Sequence, residues 1–233
     1  GVTAASAARV CFVALMDATS AEAAGAGPAG GRSGAWSVEV LKGYPFADPR
    51  RNSKVPKLLI QRMFPHARYS IWADGKLQLQ ADPLALIAEL LWSRGKQYAL
   101  SQHHVRNDLE AEFSKLSAAF TGELSISKEF DAQRVAWISQ QLKTYKQERF
   151  PLALGLPDTA VLVQEHTQFT NELGCNWFRE ILRFPHGRDQ MSFTYAASKA
   201  GGLAPVEIFP KCYFVVAARE FGHQHRTGLG WKP

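Results

Sequence analysis

The sequence predicts an α/β domain in which a mostly parallel central sheet is flanked by helices. Short apolar runs of strand length alternate along the chain with segments of helical periodicity. Hydrophobic residues make up 46% and charged residues 21% of the chain, a balance that supplies a full core and excludes wholesale disorder, collagen-like and coiled-coil architectures. A length of 233 residues without an internal repeat fits one large domain over 1–233.

The elements follow in order. Arg9–Met16 reads as a buried strand with Cys11 as a small core residue, closed by Asp17. Residues 18–34, rich in Ala and Gly, read as a flexible surface insertion. Trp36, Val38 and Val40 alternate as a second strand. Pro56 opens a helix that turns Leu59, Ile60 and Met63 inward and stops at Pro65. Tyr69–Ala73 is a strand running into Asp74-Gly75, and Leu77 and Leu79 alternate beyond it. Asp82 caps a helix with Pro83 at its first position. Gln97–Leu100 is a strand, 108–120 and 131–147 are helical, and Ala160–Val163 is a strand. Thr170–Leu182 and Asp189–Ser198 are helical, Val206–Phe209 and Tyr213–Ala217 are short strands, and 221–233 is a tail.

Formal net charge is +6, but the basic residues form no long tract. The densest group, Arg50, Arg51, Lys54 and Lys57, suits one phosphate-bearing ligand better than a duplex backbone, so nucleic acid is not expected as a partner. A solvated helix start is the competing reading of Lys54 and Lys57. Three cysteines without a CxxC pair give no zinc-ribbon or thioredoxin-type signal. No apolar run approaches the roughly 18–20 residues of a membrane span. The start, Gly1-Val2-Thr3, reads as the interior of a longer chain.

Asp74 is the most informative residue. A carboxylate at the end of an apolar strand sits where open α/β sheets bind ligands, and it suits Mg²⁺ or Mn²⁺ beside phosphate oxygens. An Asp-Gly hairpin turn explains the same residues. Arg106 and Glu112 follow a strand end and form either a site or an ion pair that pins the next helix. Asp189 reads as either a helix cap or a proton acceptor for a hydroxyl.

Several blocks together carry a resemblance. Asp48-Pro49-Arg50-Arg51-Asn52-Ser53-Lys54-Val55-Pro56-Lys57 is followed by Arg68-Tyr69-Ser70-Ile71-Trp72-Ala73-Asp74-Gly75-Lys76-Leu77. His103-His104-Val105-Arg106 with Glu112 comes next, then Glu165-His166, Asn171, Cys175-Asn176-Trp177-Phe178-Arg179-Glu180 and Arg188-Asp189-Gln190. In this order they resemble the TOD1/MUCI70 glycosyltransferase-like family, over roughly Val10 to Val216.

The resemblance implies a GT-A-like fold and hexosyl transfer from a nucleotide-sugar donor to a glycan acceptor. It implies Asp189 and Asp74 as catalytic, with Asp17, Arg51, Lys54, Lys57, Asp74, Gly75, Lys76, His103 and Arg106 around the nucleotide-sugar. Glu165, His166, Asn171, Arg188 and Gln190 fall on the acceptor side, with Glu165-His166, ahead of Asn171, expected at a strand end on the same sheet edge as Asp74. Mn²⁺ or Mg²⁺ would be held by Asp74, with His223 or His225 as further ligands, although Lys76 stands where an Asp-x-Asp motif has its second carboxylate. The family also implies an earlier strand ahead of Gly1, and a Golgi-lumenal setting behind an anchor if eukaryotic or a cytoplasmic one if bacterial. A non-catalytic nucleotide- or glycan-binding module is the alternative. A ceramide amide hydrolase is a weaker one, because no Gly-x-Ser-x-Gly elbow is present.

Overall fold

The computed structural model describes residues 2–121 and 128–220. The tail 221–233, with His223 and His225, lies outside the described residues. The chain runs α1 (Ala4–Arg9), β1 (Val13–Met16), α2 (Ala18–Ala23), β2 (Gly31–Ser33), β3 (Trp36–Val40), α3 (Pro49–Asn52), α4 (Lys54–Leu58), α5 (Ile60–Met63), β4 (Tyr69–Ala73), β5 (Leu77–Leu79), α6 (Pro83–Leu90) and β6 (Tyr98–Gln102). It continues through α7 (Leu109–Thr121), α8 (Lys128–Gln147), β7 (Pro157–Glu165), α9 (Gln168–Arg183), α10 (Phe193–Lys199), β8 (Val206–Phe209), α11 (Lys211–Ala217) and β9 (Ala218–Glu220). Short 3₁₀ turns occupy Trp92–Arg94 and Asp189–Ser192.

The α/β class holds, but the expectation of a mostly parallel sheet does not. The main sheet has the order β4-β7-β6-β8, and β7 runs antiparallel to both of its neighbours while β6 and β8 are parallel. A second sheet, β1-β3-β2, pairs β1 with β3 in parallel and β2 with β3 antiparallel; β5 and β9 form an antiparallel pair. The sequence misleads here because an apolar run records cover on both faces and not strand direction. In β7, Val161 and Val163 pack with Leu86, Leu90 and Phe214 on one face. Leu162 packs with Leu173, Trp177 and Phe193 on the other. This two-residue alternation places α6 and α11 on one side of the sheet and α9 and α10 on the other.

Several local expectations also change. The segment expected as a flexible insertion contains α2, whose Asp17 carboxylate accepts from Ser20 N at 2.8 Å, and β2 on the edge of β3. Ala-rich sequence after an Asp cap favours helix. Cys11 precedes β1 and is exposed, not a core residue. Tyr213–Ala217 belongs to a helix after Pro210, not a strand, because its apolar residues cover the sheet from one side. The helix around Pro56 begins at Lys54 and breaks at Leu59, and Met63 is exposed. Asp82 does cap α6, accepting from Leu84 N and Ala85 N, and it also binds Ser6 Oγ at 2.7 Å, tying α1 to α6.

Candidate functional site

Because β7 runs against them, β4, β6 and β8 point the same way. Their C-terminal ends therefore share one edge with the start of β7. Asp74 follows β4, His103 follows β6, and Asp158 and Thr159 open β7. Two strand spacings, about 10 Å, separate the β4 and β6 ends.

Lys57 joins this edge to the helical layer. Its ammonium is 2.8 Å from Asp189 Oδ2, 3.2 Å from Asp74 Oδ1 and 3.3 Å from Thr159 Oγ1. Only 2% of the Lys57 side chain is exposed. Lys54, one helical turn earlier on the same face of α4, reaches Asp189 Oδ1 at 3.0 Å. Thr159 Oγ1 donates to Asp189 Oδ2 at 3.1 Å. Burial alone would drive Lys57 towards neutrality, but Asp189 and Asp74 overcome it and raise its pKa. Burial likewise opposes ionisation of Asp189, and Lys57 and Lys54 overcome it to hold the carboxyl well below its usual range. Asp189 is thus a fixed anion and a weak base. It is held by its backbone as well: its carbonyl accepts from Trp177 Nε1 at 2.8 Å.

Asp74 is the more accessible carboxylate, with 30% of its side chain exposed. Trp72 lies two residues back on the same strand face, and its Nε1 donates to Asp74 Oδ1 at 2.8 Å. Asp74 also starts a turn, its carbonyl accepting from Leu77 N, so the turn and the strand-end carboxylate coexist. Gly75 and Lys76 form the tip of that turn.

A second network adjoins the first. His103 Nδ1 accepts from Val105 N and Arg106 N at 3.2 and 3.0 Å, which fixes the ring. Burial, aided by Arg106, lowers its pKa and keeps it neutral. Arg106 Nε donates to Glu112, whose other oxygen accepts from Gln190 Nε2 at 3.0 Å. The ion pair therefore does pin α7, and it also links the His103–Arg106 block to the Arg188–Gln190 block. Arg188 is exposed and lies within electrostatic range of Arg50, Arg106, Glu112 and Asp189. Arg51 stacks on Phe46 at 3.9 Å. Arg50, Arg51, Lys54, Lys57, Lys76, Arg106, Arg188 and Lys211 outnumber Asp48, Asp74, Glu112, Asp158 and Asp189, so the field over this edge is positive.

Other predicted residues lie elsewhere. Asp17 caps α2 beside the smaller sheet and is not at an end of the main sheet. Glu165, His166 and Asn171 were expected at the Asp74 edge, but the reversed direction of β7 puts them at the opposite one. Tyr69 pairs with Glu165, and β4 then runs five residues, about 16 Å, to Asp74. Among the described residues no cluster of three or more His, Cys, Asp or Glu side chains gathers to hold a metal ion. Lys57 already fills the point between Asp74 and Asp189 that a shared cation would occupy.

Thr159 and His186 were missed, and Trp72 and Trp177 stood in the motif blocks without a role. The three-residue spacing of Lys54 and Lys57 was the one available signal that both lysines face the same way. His186 is 1% exposed; its Nδ1 accepts from Arg188 N at 3.1 Å and its Nε2 lies 2.9 Å from Gln141 Oε1. Burial, with Arg134 nearby, pushes its pKa down to about 3. Below about pH 6.5 the unfolded histidine binds a proton that the folded one refuses. Stability then falls as pH falls, by about 1.4 kcal/mol per pH unit for one proton, until the folded form also protonates. His186→Gln is expected to flatten the dependence of the urea midpoint on pH between about 6.5 and 4. An unchanged slope would show that His186 is not the group responsible.

The structure thus defines a helix-covered α/β sheet with the carboxylates of Asp74 and Asp189 gathered on Lys57 at one edge. The chain belongs to the TOD1/MUCI70 glycosyltransferase-like domain family, which matches residues 1–223. It is 36% identical over 200 residues to the probable hexosyltransferase MUCI70 of Arabidopsis thaliana, covering 83% of this chain and 33% of that protein. It is 28% identical over 199 residues to the alkaline ceramidase TOD1 of the same plant, covering 84% of this chain and 42% of that protein. The chain thus spans well under half the length of these curated relatives. No solved structure matches. Among the described residues no helix is long and apolar enough to cross a membrane.

Proposed function

We propose that this domain transfers a hexosyl group from a nucleotide-sugar donor to a glycan acceptor at the Asp74 edge of the main sheet. The observation that carries the reading is the buried Lys57 ammonium, which joins Asp74 and Asp189 beneath an exposed arginine rim. Transfer forms a bond from an acceptor hydroxyl oxygen to the anomeric carbon and breaks the bond to the diphosphate oxygen; the hydroxyl proton passes to the departing diphosphate or to solvent, and negative charge builds on the departing phosphate. Preorganised cations aimed at that charge lower the barrier. Arg188 and Arg50 are exposed over the site and suited to meet the diphosphate, whereas Lys54 and Lys57 are committed to Asp189. Lys57 holds Asp189 ionised and accepts Asp74 as its second carboxylate partner. Asp189 acts as a positioning residue, and the more exposed Asp74 faces the donor.

Mn²⁺ or Mg²⁺ would find one outward carboxylate here, Asp74, and would draw further oxygen ligands from the diphosphate. Calorimetry of UDP in Mn²⁺ and in chelator tests this. Mn²⁺ is expected to tighten UDP binding in the wild type and not in Asp74→Asn, and equal affinities in all four titrations would remove the metal role. Transfer assays with a panel of UDP-hexoses test the activity itself. Asp74→Asn is expected to lower turnover by about 100-fold or more. If donor binds and no hexose is released or transferred, the domain is a nucleotide-binding module. The homology to TOD1 supports a second assay, amide hydrolysis of ceramide, in which activity lost with Asp74→Asn would replace the glycosyl reading.

A further inference from the structure

We propose that the opposite edge of the same sheet is a binding platform for a neutral glycan chain, about 16 Å along the strands from Asp74. The proposal rests on the glycosyltransferase reading and adds a second site to it. Trp92 is 57% exposed, yet it is fixed in place. Its Nε1 donates to Tyr69 Oη at 2.9 Å, and the two rings meet edge to face at 5.7 Å. Tyr69 in turn donates to Glu165 Oε1 at 3.1 Å, and Arg68 Nε donates to the same oxygen at 3.2 Å.

A rigid aromatic face with hydrogen-bonding groups at its margin matches a pyranose, which has an apolar C–H face and a rim of hydroxyls. Its order is already established before a ligand arrives, so binding costs little further side-chain entropy. Beyond Glu165 the edge opens into two shallow grooves that share Thr167. One is bordered by Gln97, Gln168 and Glu172, the other by Gln61, Arg62 and Asn171. Amides and hydroxyls of this kind both donate and accept, as neutral polyols require. The two sheet edges therefore differ in chemistry. The Asp74 edge carries an excess of cations and suits a diphosphate, while this one sets aromatic rings and amides among balanced charges, Arg68 against Glu165 and Arg62 and Glu172 at the groove margins. A polymer held here would keep the acceptor or product chain on the enzyme between transfers.

Affinity electrophoresis in native gels containing soluble galactan, β-glucan, xylan or polygalacturonate tests the platform. At least one neutral polymer is expected to retard the protein. Trp92→Ala is expected to weaken that interaction about fivefold to tenfold, with Trp92→Phe intermediate. UDP titration of the same preparations is expected to be unchanged by either substitution. Absence of retardation by every neutral polymer, or equal retardation of the wild type and Trp92→Ala, overturns the proposal. Retardation by polygalacturonate alone that Trp92→Ala abolishes overturns the neutral class. Trp92-dependent glycan binding in a protein with no affinity for UDP would sink the nucleotide-sugar reading and leave the platform standing.

Discussion

Lys57→Met is expected to destabilise the fold by about 3–5 kcal/mol and to abolish UDP binding. Methionine fills nearly the same volume, so the loss is one of charge and not of packing. Removing the ammonium leaves Asp189, still beneath the surface, with Lys54 and the Thr159 hydroxyl, and leaves Asp74 without the Lys57 cation on Oδ1. An uncompensated buried carboxylate either destabilises the native state or takes up a proton. The deficit should therefore be largest near neutral pH and should shrink as pH falls into the carboxylate range. Lys57→Met combined with Asp189→Asn is expected to cost clearly less than the sum of the two single variants. Urea unfolding at pH 7.5 and 4.5 on the four proteins measures all of this. Additive single-variant effects, or no pH dependence in Lys57→Met, would show that the three charges do not act as one unit.

Gly174→Ala is expected to destabilise by about 1–3 kcal/mol, although helix propensity alone predicts the opposite sign. Gly174 lies inside α9, where alanine is favoured over glycine by about 1 kcal/mol. A Cβ at this position would stand 2.5 Å from the carbonyl oxygen of Leu58, at the end of α4. The obstacle is backbone and cannot rotate away, so α4 must move as a body. Lys54 and Lys57 ride on that helix, and a shift of a few tenths of an ångström stretches their ion pairs with Asp189. UDP affinity should accordingly fall together with stability. Thermal unfolding and calorimetry decide between the two effects: a stabilised Gly174→Ala would show that the contact yields easily.

Much of the local structure was legible because it depends on neighbours in sequence. Asp82 with Pro83 announced α6, Tyr69–Ala73 announced β4, and the alternation of Trp36, Val38 and Val40 announced β3. The pairing of Asp74 with Asp189 was legible only through the resemblance, since the two lie in separate motif blocks far apart in sequence. The errors share a cause. Glu165 and His166 were placed at the Asp74 edge because strand direction is not written in an apolar run. Reversing β7 alone moved them to the far side of the sheet.

The sequence by itself determined the α/β class, the main strands and helices, and the family, since these follow from periodicity, caps and the order of motif blocks. Only the tertiary structure decided that Lys57 is a buried counter-ion and not a solvated side chain. Burial depends on what the rest of the chain folds over α4, and no local pattern encodes that. It also decided that one sheet presents a cationic edge and an aromatic one, because which strand ends meet at an edge is settled by topology and not by composition.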